Sequence, residues 1–148
     1  MSEYIRFARL AILLLILLLV GRLTLGVAGV PYATGTGIFS LVTFSYMAAF
    51  FFGAFSRPLR GYRWKQAVML GITIVLTAQI LIFATTVLSY LVGAETYFNH
   101  PTALNVPEPI GLVAALPIRL GGLVINTIVG SILASLGWWG GKLLPKAA

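Results

Sequence analysis

The chain has 148 residues, 59% hydrophobic and only 9% charged, with a net charge of +7 and a mean hydropathy of +1.01. A soluble domain carries roughly 25% charged residues, so this composition cannot cover a water-facing surface, and the solvent for most of the chain is read as lipid. With no cysteine and no aspartate, disulfides, thiolate metal centres, cysteine nucleophiles and Ser-His-Asp sets are excluded.

Arg6 and Arg9 precede an unbroken apolar run from Leu10 to Val20; Arg22 then interrupts, and apolar character resumes to Val30. A hydrocarbon core of about 30 Å needs around 20 helical residues, so a first span is expected over 10–30. The basic start and apolar run also fit a secretory signal peptide. Arg22 and Leu23 break up the cleavage region, so an uncleaved helix is the expectation.

A second span is expected over 38–55 and a third over 66–92. Between them, the cytoplasmic link 56–65 reads SRPLRGYRWK. Its cations, Arg57, Arg60, Arg63 and Lys65, are expected to rest on anionic lipid, which attracts juxtamembrane charges by about 1 kcal/mol each. Nucleic acid is not an expected partner, because the patch is short and held against the bilayer.

The outer loop, 93–109, carries Glu95, His100 and Glu108 with Pro101, Pro107 and Pro109. Three scattered donors match zinc poorly, since zinc wants three or four ligands in fixed geometry. No metal or cofactor is expected. The loop reads as a stiffened connection with Tyr97 and Phe98 at the membrane interface, or as a docking surface. The fourth span is expected over 117–139, with Pro117 in its first turn and 110–116 as a short surface or re-entrant helix. One continuous kinked helix is the alternative.

Orientation follows from the cations. Arg6, Arg9, the four link cations, Lys142 and Lys146 fall on one side, eight of ten basic residues. The positive-inside rule then puts both termini in the cytoplasm. Trp64, Trp138 and Trp139 fall at the same ends, as interfacial anchors do. The expected fold is all-α: a polytopic integral membrane protein of four transmembrane helices in one domain, N-in/C-in, in the plasma membrane of a bacterial inner-membrane type.

One polar residue per span recurs at similar depth. Arg22 lies thirteen residues beyond Arg9, Thr43 fourteen before Arg57, Gln79 fourteen beyond Lys65, and Asn126 sixteen before Lys142. At 1.5 Å per residue, all four sit roughly 20–24 Å inward. The layer is read as interhelical glue, as a site for an anion or polar head held by Arg22, or as a subunit contact. No carboxylate of the chain lies at the depth of Arg22. Its charge is expected to reach outer phosphates by snorkelling, or to meet a helix-end carbonyl, a bound anion or another subunit. Arg119 faces the same outer boundary and is expected to contact lipid phosphate, Glu95 or Glu108.

Small residues recur four apart: Ser45, Ala49 and Gly53 in the second span, Thr73 and Thr77 in the third, and Thr127, Ser131 and Ser135 beside Gly130 and Ala134 in the fourth. Such faces let helices approach closely. The leading functional expectation is a non-catalytic subunit of a homo-oligomer or larger membrane complex. The alternative is a small channel or carrier for an anionic or polar solute, using the layer around Arg22.

Overall fold

The computed structural model describes residues 2–35 and 40–145. Ile38, the expected start of the second span, and Lys146 lie outside the described residues. The fold is all-helical, with no strand among the described residues: α1 (Ser2–Phe7), α2 (Arg9–Val27), α3 (Tyr32–Gly35), α4 (Leu41–Arg60), α5 (Trp64–Leu91), α6 (Pro101–Leu104) and α7 (Leu112–Gly140), closed by a 3-10 turn at Gly141–Leu143. Among the described residues, three helical segments are long and apolar enough to cross a membrane: Arg9–Val27, Trp64–Leu91 and Leu112–Leu143. α4 has 20 residues, but Arg57, Pro58 and Arg60 in its last turns dilute its hydropathy.

α5 is the centre of the bundle. Half of its apolar window is buried inside the protein, against 11% for α2. Its buried positions, among them Ala67, Leu70, Gly71, Ile74, Val75, Ala78, Gln79 and Ile82, repeat at three- and four-residue steps along one broad face. That spacing makes a continuous stripe on a helix. The sequence hides the stripe, because the opposite face is equally apolar.

α4, α5 and α7 pack through small residues. A Cβ on Gly53 would fall on the Ala134 carbonyl, one on Gly137 on the Phe50 carbonyl, and one on Gly130 on the Val75 side chain. Ser45, Ala49 and Gly53 are all buried, so this face joins helices of the same chain. Without a hydrophobic drive between helices in lipid, such close backbone approach supplies the packing energy. Pro58 removes the donor that would bond the Ala54 carbonyl, and that carbonyl is the one packed against Gly141.

The Tyr46 hydroxyl donates to Asn126 Oδ1 across α4 and α7 at 2.5 Å. Tyr46→Phe is expected to lower stability by about 0.6 kcal/mol, the usual worth of such a bond in a membrane bundle, as read from unfolding in mixed micelles.

Two expected boundaries move. The link 56–65 is mostly helical, since α4 continues to Arg60 and α5 begins at Trp64. Gly61, at φ 64°, makes the left-handed stop that glycine adopts without strain. The last long helix begins before Pro117, and 110–116 is not a separate helix: α7 runs unbroken from Leu112 with Pro117 inside it, as in the continuous-helix alternative. A proline there forfeits only the bond to the Val113 carbonyl, near an end where Val113 is 84% exposed.

Candidate anion-binding site

Arg22 and Arg119, on different helices, line one cavity of about 180 Å³ at the end of the bundle opposite the basic link. Its walls include Tyr32, Tyr97 and Phe98, with Ser40 before α4 and Leu41 and Val42 at its start. The chain has only three acids, Glu3, Glu95 and Glu108, and none lines this cavity.

The local sequence explains the walls. Ser40 caps α4, its hydroxyl accepting from the Thr43 amide at 3.3 Å; hydroxyl residues favour this position because they satisfy an orphan helix donor. The loop after α5 is folded inward by its own polar side chains. Asn99 Oδ1 accepts from the Thr96 amide at 2.8 Å, and Asn99 Nδ2 donates to the Ala94 carbonyl at 2.9 Å. The Ser89 and Thr96 hydroxyls pair at 2.8 Å. Tyr97 and Phe98 are therefore buried in the protein, at 3% and 2% exposure, where the sequence suggested rings turned outward to an interface. Phe98 packs with Leu15, Leu41, Ala78 and Ile82. The Tyr97 hydroxyl donates to the Val30 carbonyl at 2.7 Å, tying the loop to the end of α2.

The charge of Arg22 meets aromatic rings. Its guanidinium lies 5.6 Å from the Tyr32 centroid, 5.7 Å from Tyr97 and 5.6 Å from Phe98, and it donates to the Tyr32 hydroxyl at 3.3 Å. Each cation–π contact contributes roughly 0.5–2 kcal/mol, more where water is excluded. His100 stacks on the Tyr32 ring, 4.6 Å centroid to centroid and 9° from parallel.

Arg119 is held differently. One terminal nitrogen donates to the Phe98 carbonyl at 2.5 Å and the other to the Ala103 carbonyl at 3.2 Å. Its Nε is buried with no hydrogen-bond partner among the described residues. Because α7 begins at Leu112, Arg119 stands beyond the first turn, and it reaches loop carbonyls where lipid phosphate, Glu95 or Glu108 was expected. Two guanidinium groups bring like charge to one small cavity, and the start of α4 adds the positive end of a helix dipole. The arrangement suits an oxyanion. The cavity is smaller than the roughly 300–1,000 Å³ that encloses a whole drug-sized ligand, so it fits a phosphate or carboxylate head.

No family model, curated protein or solved structure matches this chain. Function therefore has to be argued from the site.

The four-residue polar layer is not one cluster. The Thr43 hydroxyl is exposed and bonds Ser40 at 3.0 Å. Asn126 pairs with Tyr46. Gln79 is 4% exposed, and its Nε2 has no partner among the described residues. Depth along a helix sets height, but each residue also turns the side chain by about 100°, so equal depth does not bring residues onto facing sides. Leaving a buried amide unpaired costs about 1–3 kcal/mol. Gln79→Met is accordingly expected to keep or raise thermal stability in detergent.

Glu95 and His100 share a shallow cleft of about 220 Å³ beside Tyr32; Glu108 lies elsewhere on the exposed surface. His100 Nδ1 accepts from the Thr102 amide at 3.2 Å and so caps α6. At the opposite end, the link cations divide. Arg60 lies over Phe7 at 5.3 Å, and Lys65 is exposed. Arg57 and Arg63 join Lys142 around a second cleft.

Proposed function

We propose that this chain is an integral membrane protein of four crossings, with both ends cytoplasmic, that binds the oxyanion head of an amphiphile at its outer end. One observation carries the reading: Arg22 and Arg119 line the same cavity and no carboxylate does. α4 supplies the remaining crossing, since 20 helical residues cover about 30 Å. The cations grouped at the other end set the orientation, in a plasma membrane of the bacterial inner type.

The role is binding, not catalysis: neither a histidine nor a carboxylate lines the cavity to move a proton. Conduction through a single copy is disfavoured by the close contacts of Gly53, Gly71 and Gly130 with neighbouring helices. Those contacts fill the middle of the α4–α5–α7 bundle, so the cavity is a recess at one end.

Titrating the detergent-purified protein with inorganic phosphate, a short-chain phosphatidic acid and decanoate tests the reading. At least one amphiphile should bind, and Arg22→Gln/Arg119→Gln should abolish that binding while the fold survives. Binding of phosphate alone at equal strength would assign the site to a free anion. If the double variant instead lowers copy number by native mass spectrometry and leaves binding unchanged, the assembly-subunit role replaces this one.

A further inference from the structure

The second cleft lies at the basic end of the bundle, has a volume of about 560 Å³, and is lined by Arg57, Leu59, Tyr62, Arg63, Trp138 and Lys142 among others. The cations come from three places: the end of α4, the residue before α5 and the 3-10 turn after α7. Trp138 organises two of them, Arg57 and Lys142. Its indole nitrogen donates to the Tyr62 carbonyl at 2.7 Å, which fixes the ring against the α4–α5 turn. The Arg57 guanidinium then lies 5.1 Å from the Trp138 centroid and the Lys142 ammonium 5.9 Å from it. Lys142 also sits 4.1 Å over the Trp139 ring. Cation–π contact holds both long side chains at the cleft and lowers the entropy lost when they engage a ligand.

Cations near helix C-termini also complement the helix dipole, and that accounts for Arg57 or Lys142 singly. It does not account for Arg63, which stands at the start of α5, turning to the same cleft. No acid is among the described residues that line the space, so Arg57, Arg63 and Lys142 border one cleft with no described carboxylate among them. Leu59 and Leu144 add an apolar flank.

We infer that this cleft holds the two-phosphate headgroup of an anionic lipid from the adjacent leaflet. Two phosphodiesters answer two of the three cations directly, and a single-phosphate lipid answers one. Basic pockets between membrane helices on the cytoplasmic side suit such headgroups, and the leucines supply a surface for the first carbons of the acyl chains. The inference shares only membrane insertion with the proposed function, because the two cavities occupy opposite ends of the bundle.

Native mass spectrometry of the full chain in mild detergent, titrated with cardiolipin or phosphatidylglycerol, provides the test. Cardiolipin is expected to bind at least tenfold more tightly than phosphatidylglycerol. Arg57→Gln/Lys142→Gln should weaken cardiolipin about twenty-five-fold, roughly fivefold per removed charge, and close the gap between the lipids. Lys65→Gln, which removes a cation of the same end outside the cleft, should change binding less than twofold, and Arg22→Gln/Arg119→Gln should leave it intact. Equal affinity for the two lipids would overturn the inference. So would an equal loss from Lys65→Gln, since the attraction would then be a diffuse effect of net charge. If the double variant does not fold, Arg63→Gln decides, because its α5 cap is made by its backbone: the amide donates to Gln66 Oε1 at 2.8 Å and the carbonyl accepts from the Gln66 and Ala67 amides at 3.0 and 3.1 Å.

Discussion

Arg119→Gln is expected to weaken binding of a short-chain phosphate amphiphile by about ten- to a hundredfold. A hydrogen bond to a charged group contributes about 1.5–3 kcal/mol, and each 1.4 kcal/mol is about tenfold in affinity. Arg119 also donates to the Phe98 and Ala103 carbonyls, so the same change could act by loosening the loop. Two controls separate these causes. Arg22→Gln removes the other cation and leaves both carbonyl contacts in place, and it should lower affinity to a similar extent. Amide exchange across 96–104 should stay slow in Arg22→Gln and quicken in Arg119→Gln. If affinity falls only where exchange quickens, Arg119 organises the loop and the cavity is not an anion site.

Gly137→Ala is expected to cost about 1–3 kcal/mol, the usual penalty for forcing added volume into a packed interior. The added carbon would meet the Phe50 carbonyl and the Ala54 amide nitrogen, and backbone atoms of a neighbouring helix cannot rotate away as a side chain can. Gly121 lies in the same helix with nothing within 4 Å of its would-be Cβ. Gly121→Ala should therefore cause no loss. Unfolding of both variants in mixed micelles reads the difference directly. Equal stabilities would mean that the α4–α7 approach is looser than described.

That Arg22 needs a partner was legible, because a lone cation in a long apolar run is costly. The partner itself was not. Tyr32, Tyr97 and Phe98 lie in two connections far apart in sequence, and nothing local signals that they converge on one guanidinium. Arg119 was placed at the right end of the right helix, but its contacts depended on a loop that folds inward on Thr96 and Asn99. Gln79 and Asn126 were read at a shared depth, yet they serve different surroundings: Asn126 pairs with Tyr46, and Gln79 is buried without a described partner for its Nε2. The division of the link cations was equally hidden, since Arg57 and Arg60 belong to α4 and leave it in different directions.

Composition alone determined that this chain is helical and suited to lipid: an apolar backbone away from water has to satisfy its own hydrogen bonds, and long uninterrupted runs do so as helices. The spacing of small residues likewise announced close helix contacts, because glycine and alanine admit a neighbouring backbone wherever they fall. Tertiary structure decided which faces meet, since α5 is apolar on all sides and its buried stripe cannot be told from lipid exposure by hydropathy. It also decided that two arginines nearly a hundred residues apart share one cavity. Their meeting depends on the three-dimensional course of α2, α7 and the loop between α5 and α7, and no local pattern records that course.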